Sequence, residues 1–360
     1  MARLKFILLV ISACVLNAGA PELRAATTVI VGTCKVGTRF TKIQDALNST
    51  PAPTIVEVCP GTYPEQVTIS KPVTLQGVPS SNSSLVTLVP PSGGMVPNAT
   101  LLNGDSAAVQ ILVQNVAGAV NLTNLYVNGS GAEAGGAAVV SVLYKNTPGT
   151  INHLVTFNVS ATDGGFGVYL AGGSANPKVT IQNSTFDHDQ TALWVQSNST
   201  SSELTAIVEN NLVYFCATCI SVQAGVTATI SNNMINTNGQ IGIALFASTG
   251  SVTGNTIVGG GQLGIASGND SFSITSNKIY DASLFGINLD ISTVAGNVTG
   301  NTLTNIGGVG IAFCGSPGTP SKVHSNTFVD TNIGYEAPSG FSVTGNTFIG
   351  VIADVEPCVN

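Results

Sequence analysis

The chain has 360 residues, of which only 8% are charged, with 11 Lys and Arg against 18 Asp and Glu, and it contains 41 glycines. A net charge of −7 with so few cations excludes nucleic-acid binding by phosphate neutralisation, which needs clustered Lys and Arg. An apolar fraction of 43% excludes an intrinsically disordered chain, whose composition is poor in such residues.

The amino terminus carries Arg3 and Lys5 ahead of an apolar run from Phe6 to Leu16. That run is too short for a bilayer, which needs about 20 residues, and fits a signal peptide over residues 1–25. Ala18-Gly-Ala20 has the small-x-small form of a cleavage site, and Leu23-Arg-Ala25 is the other choice. The expected product is a secreted, extracellular protein with no transmembrane segment. Ile11-Ser-Ala-Cys14 has the form of a lipobox, so a lipid-anchored envelope protein held through Cys14 is the alternative.

Residues 26–53 are expected to form an N-terminal cap. Phe40, Ile43, Ala46 and Leu47 share one helical face, and Thr41-Lys-Ile-Gln44 has the capping-box form, which predicts a short amphipathic helix. Strand patterns follow at 54–58, 67–69 and 73–77, with a turn at Pro60-Gly-Thr-Tyr63. Residues 78–106, rich in Ser, Pro, Gly and Asn, read as a long projecting surface loop.

Downstream, two phrases recur in step. One is Val252-Thr-Gly-Asn255-Thr-Ile257, repeated around Asn277, Asn301, Asn326 and Asn346, with looser copies at Ser184, Asn211 and Asn233. The other is Gly242-Ile-Ala-Leu245, repeated from Gly264, Gly286 and Gly310, with relatives at Gly167, Ala192, Cys219 and Gly334. Both phrases hold spacings of 20–27 residues. Short period-2 strands at that interval describe a solenoid. The fold expected is all-β: a single-stranded right-handed parallel β-helix of roughly a dozen coils over residues 54–355, with the short helix covering its N-terminal end and residues 356–360 closing the other. Ile243 and Leu245 should point inward, with Ala244 outward. The repeated Asn should take the left-handed turn conformation and bond along the stack through its amide. A monomer is expected.

Setting Cys14 aside leaves six cysteines, an even number that suits disulfides in an oxidising compartment. The preferred pairs are Cys34–Cys59, Cys216–Cys219 and Cys314–Cys358, out of the many connectivities six cysteines allow.

The stretch Phe40-Thr-Lys-Ile-Gln44 through Val58-Cys-Pro-Gly-Thr-Tyr-Pro-Glu65, then Ile69-Ser-Lys-Pro72 and Leu75-Gln-Gly77, resembles the N-terminal region of pectin-lyase-like β-helix proteins. The later Asn-Thr-Ile phrases resemble the repeats of the same superfamily. The resemblance spans residues 38–350 and implies an exported protein that acts on or holds a polysaccharide. It does not extend to the motif sets of pectin methylesterases, polygalacturonases or pectate lyases. Beyond the expected signal peptide the sole arginine is Arg39, in the cap.

Aligning the second phrase by coil puts Tyr169, Trp194, Ser221, Ala244, Ala266 and Asn288 in one outward row. Tyr169 and Trp194 should be neighbours on the solvent face, able to stack on a sugar ring, with Gln196 and Asn288 as further substrate-binding residues. Asp163, Asp187, His188 and Asp189 lie just upstream, as candidates for acid–base cleavage of a glycosidic bond, which needs two flanking carboxylates. The same oxygens, Glu133, Asp163, Asp187 and Asp189, would equally suit Ca²⁺. The function expected is binding, with or without atypical lyase or hydrolase cleavage, of polysaccharide. The alternative is a non-enzymatic, adhesin-like structural protein of the cell surface. Thr253, Thr275, Thr299 and Thr344 form an outward row read as β-branched residues favoured on a pleated face.

Overall fold

The computed structural model describes residues 26–358 apart from 38, 80–84, 133, 161–163, 174–175, 199–202, 238, 260, 269–270, 292–296, 314–321 and 339–343. The expected signal peptide and Cys14 lie outside these residues.

Each coil of the repeat region contributes three strands. In one coil they are Thr249–Thr253, Thr256–Val258 and Leu263–Gly268. Among the described residues the first two strands join a wide sheet of 23 strands and the third joins a narrow sheet of 13. Parallel pairing to the next coil sets Val252 against Ile274, Ile257 against Ile279 and Ile265 against Ile287. The result is a parallel β-helix of roughly 11 turns.

Period-2 alternation explains most of the packing. Ile243, Ile265, Ile287 and Ile311 are register partners and fully buried, as the second phrase predicts. Each such side chain contributes about 1.5–3 kcal/mol by leaving water. The glycine before each isoleucine breaks the alternation, because it is buried as well. A Cβ on Gly264 would stand 2.5 Å from the Gly286 carbonyl oxygen and 2.6 Å from Ile279 Cγ2. Only a residue without a side chain lets the strand approach so closely.

The repeated Asn is an interior residue, which corrects the expected turn role. The left-handed conformation belongs to the residue before it, such as Asn232 (φ 55°), Gly254 (φ 67°) and Ser276 (φ 57°). The Asn side chain instead turns into the core, where Asn211, Asn233, Asn255, Asn277, Asn301 and Asn326 are at most 1% exposed. Each bonds to the next along the stack, as expected.

At the N-terminal end a five-residue helix, Ile43–Leu47, buries Ile43, Ala46 and Leu47. Its N-terminus carries no capping-box bond. The Glu65 carboxylate accepts from the Ile43 and Gln44 backbone N–H groups at 3.0 and 3.1 Å, while Gln44 turns away to the Thr68 backbone. A charged acceptor from the adjoining coil thus supplants the local cap. Cys34–Cys59 and Cys216–Cys219 are bonded, with Cα separations of 5.6 and 5.1 Å. Cys358 is disulfide-bonded, while Cys314, its expected partner, lies outside the described residues.

Residues 78–106 are not one projecting loop. Val86–Val89 pairs with Gly61–Pro64 as part of the wide sheet. Ala99–Thr100 pairs antiparallel with Ser106 and Ala107 at the edge of the narrow sheet. Apolar residues spaced among the polar ones, Val86, Leu88 and Leu101, are buried and draw the segment back onto the coils.

Candidate functional site

The outward row of the narrow sheet runs in register from Tyr169 through Trp194, Ser221, Ala244 and Ala266 to Asn288. Tyr169 and Trp194 are coil neighbours, with ring centroids 6.3 Å apart and planes 27° apart. Gln196 joins them, since its Oε1 accepts from the Tyr169 hydroxyl at 2.9 Å and the Trp194 indole N–H at 3.1 Å.

Their setting differs from an open platform. Tyr169 is 2% exposed, which corrects the expectation of a solvent-facing ring. The cause is the segment around Ala99–Leu102, which closes over the apolar outer face of the first coils. Leu101, Leu112, Val140, Leu143 and Tyr169 form a small second core there, with Phe166 and Trp194 packed at its rim. Phe166 meets both rings edge-on, at 5.4 and 5.8 Å. The Lys145 ammonium fastens the cover by donating to the Thr100 carbonyl at 2.8 Å. Burial pushes the Tyr169 phenol up to about 12.

The Asp187-His188-Asp189 run divides. Asp187 ends a wide-sheet strand, Thr185–Asp187, and its Oδ1 lies 2.7 Å from His188 Nδ1 on the outside of the coil. The His188 ring leans on Phe215, with centroids 4.6 Å apart. Asp189 turns inward and is 1% exposed. Its carboxylate accepts from the Thr156 hydroxyl and, at 3.2 Å, from the Val159 N–H. It also fills the space that a side chain on Gly167 would need. Burial pushes the Asp189 carboxyl up to about 7 against the pull of those two bonds, and the Asp187 charge adds to the rise. Asp163 and Glu133 lie outside the described residues. Among the described residues no three His, Cys, Asp or Glu side chains gather as a metal site.

Beyond Ser221 the outward row opens into a groove of about 370 Å³. Ala244, Ala266 and Asn288 form its floor, and Ile241 and Leu263 one wall. Gln223, Phe246 and Gly268 form the other. Phe246 is 45% exposed, and the Gln223 amide is held by its bond to the Ser221 hydroxyl at 2.7 Å. The groove offers a flat ring, methyl groups and two amides, which suits a ligand with apolar faces and hydroxyl edges. The row's own carboxylates, Glu336 and Glu356, come two and three coils beyond Asn288. Gln223 and Phe246 went unnoticed in the sequence. Each stands two residues after an outward-row member, so extending the alignment by one outward step finds both.

A family model described as a right handed beta helix region matches residues 166–333. No curated protein matches the sequence. Among solved structures, the GH136 lacto-N-biosidase from Eubacterium ramulus is 10% identical with a TM-score of 0.61, over 94% of this chain and 69% of its own. The surface adhesin PfbA of Streptococcus pneumoniae is 12% identical with a TM-score of 0.50, over 87% of this chain and 88% of its own. No helix among the described residues is long and apolar enough to cross a membrane. In fold, the chain is a right-handed parallel β-helix solenoid.

Proposed function

We propose that this exported β-helix binds a polysaccharide strand in the narrow-sheet groove and holds it without cleaving it. The observation that carries this reading is the register of Ala244, Ala266 and Asn288. Small residues on successive coils leave a trough between the Ile241–Leu263 ridge and the Gln223–Phe246 ridge. A pyranose stacks its C–H face on Phe246, and the Gln223 and Asn288 amides reach its hydroxyls. Cleavage needs a proton-transfer group at the bond, and the described groove-lining residues are amides, a hydroxyl, aliphatic groups and a ring.

Retention of the mature chain by neutral and uronate polysaccharides, with Ca²⁺ and with EDTA, tests the reading. The parent should be retarded by at least one of them, and Ala266→Phe, which fills the trough, should not. New reducing ends or unsaturated products would show turnover and replace the binding reading with an enzymatic one. Equal retention of A266F and parent would place the polysaccharide elsewhere. Retention that disappears in EDTA would make Ca²⁺ part of the site.

A further inference from the structure

The wide sheet carries a separate cleft of about 370 Å³ lined from Leu85 and Val86 across the next three coils to Asn183 and Thr185. Tyr126 and Thr185 lie two coils apart on one outward row, with Val155 between them in register. Asn124, His153 and Asn183 occupy the same corner of successive coils, with φ of 54°, 51° and 51°. All five polar side chains line the cleft. Asn183 Nδ2 donates to the Asn152 side chain at 3.0 Å. The Asn124 amide, the Tyr126 hydroxyl, the His153 ring and the Thr185 hydroxyl make no hydrogen bond to any described residue.

Four unpaired polar groups converging on a partly apolar cleft are the ordinary makings of a small-ligand site. They include donors and acceptors of every neutral kind: amide, phenol, imidazole and hydroxyl. Among the described residues, no Lys, Arg, Asp or Glu lines the cleft. An anion would find no counter-charge there, and a metal cation no carboxylate. The cleft therefore favours a neutral ligand with many hydroxyls and one flat apolar face, the latter to meet Tyr126, Val155 and Leu85. We propose that it binds a single neutral pyranose unit. This site shares no residue with the groove and stands whether or not the groove binds polysaccharide.

The test is NMR titration of the full mature chain, reading the ring resonances of its three histidines. His153→Gly, which retains the left-handed turn, assigns the His153 signal. Glucose, galactose, mannose and N-acetylglucosamine are the neutral probes, and glucuronate is the charged one. At least one neutral sugar should move the His153 resonance, with glucuronate at least ten times weaker. Thr185→Val, nearly isosteric, and Tyr126→Ala should each weaken binding about five- to tenfold. A266F should bind the neutral sugar as the parent does. The proposal fails if no neutral sugar moves the His153 signal, or if glucuronate binds equally well. It fails too if T185V, melting like the parent, keeps the parental affinity.

Discussion

Asn277 and Asn301 hold adjoining coils together through one oxygen. The Asn301 Oδ1 accepts the Asn277 backbone N–H at 2.9 Å and its side-chain Nδ2 at 3.0 Å. The second hydrogen of Nδ2 goes back to the Val252 carbonyl at 2.9 Å, and Asn255 addresses the Asn277 Oδ1 in the same way. An Asn is thus fully bonded in a place where water does not reach, and it fastens three coils at once. That explains its return in every phrase better than turn preference does.

Asn277→Ala takes the Asn277 Oδ1 from both Asn255 donors and the Nδ2 from the Val252 carbonyl, so it should cost about 3 kcal/mol or more. Asn277→Asp should be worse at neutral pH, because a carboxylate oxygen then faces the Asn301 Oδ1 without a proton between them. Lowering the pH should recover part of that loss. Urea unfolding of both variants measures it, and a loss under about 1 kcal/mol for N277A would refute the account.

Gly264→Ala should destabilise by about 1–3 kcal/mol, because its Cβ would push on the Gly286 carbonyl and on Ile279. Two residues on, Ala266→Gly changes an outward, half-buried position and should cost under about 1 kcal/mol, mainly through backbone entropy. The contrast between the two substitutions, read by urea midpoint, separates close packing from strand propensity.

The architecture was legible because each coil repeats it. Period-2 alternation put Ile265 inside and Ala266 outside, and phasing two phrases gave the registers Tyr169–Trp194 and Ile265–Ile287 without any long-range information. What stayed hidden depended on elements that do not repeat. The segment at 99–102 covers Tyr169 because the outer faces of the first coils are apolar, and nothing in the Tyr169 phrase reports what lies above it. The Asp187-His188-Asp189 run looked like one site, yet the corner between them sends Asp189 inward and leaves the other two outside. His188 makes the left-handed turn there, with φ of 55°. Glu65 displaced the local capping box for the same reason: its reach across coils is a tertiary fact.

Asp189 should make stability depend on pH in the direction opposite to a salt-bridged carboxylate. Its folded pKa of about 7 exceeds the ordinary value near 3.9 in the unfolded chain. Between those values the native state keeps a proton that the unfolded state has released, so stability is fullest below about pH 4 and falls as pH rises to about 7. The loss amounts to roughly 4 kcal/mol for a shift of that size. Asp189→Asn keeps an acceptor for the Val159 N–H and does not ionise. Its stability advantage over the parent should therefore grow between about pH 4 and pH 8 and then level off. An advantage independent of pH would mean that the carboxyl does not titrate in that range.

Trp194 and Asn288 sit on one outward row yet should answer to different measurements. Trp194 packs on Phe166 and Tyr169 at the rim of the second core and holds Gln196 through its indole N–H. Trp194→Ala therefore uncovers two rings and should lower stability by about 2 kcal/mol, with the ring contacts supplying part of it. Asn288 is on the groove floor, where its neighbours in register are Ala266 and Ala312. Asn288→Ala should weaken polysaccharide retention about five- to tenfold, the worth of one or two hydrogen bonds to sugar hydroxyls. Running both variants through unfolding and retention separates the two roles if the groove is the site: W194A loses stability and keeps its affinity, whereas N288A loses affinity. Should W194A lose affinity while melting like the parent, the exposed edge of Trp194 is the sugar platform and the groove is not.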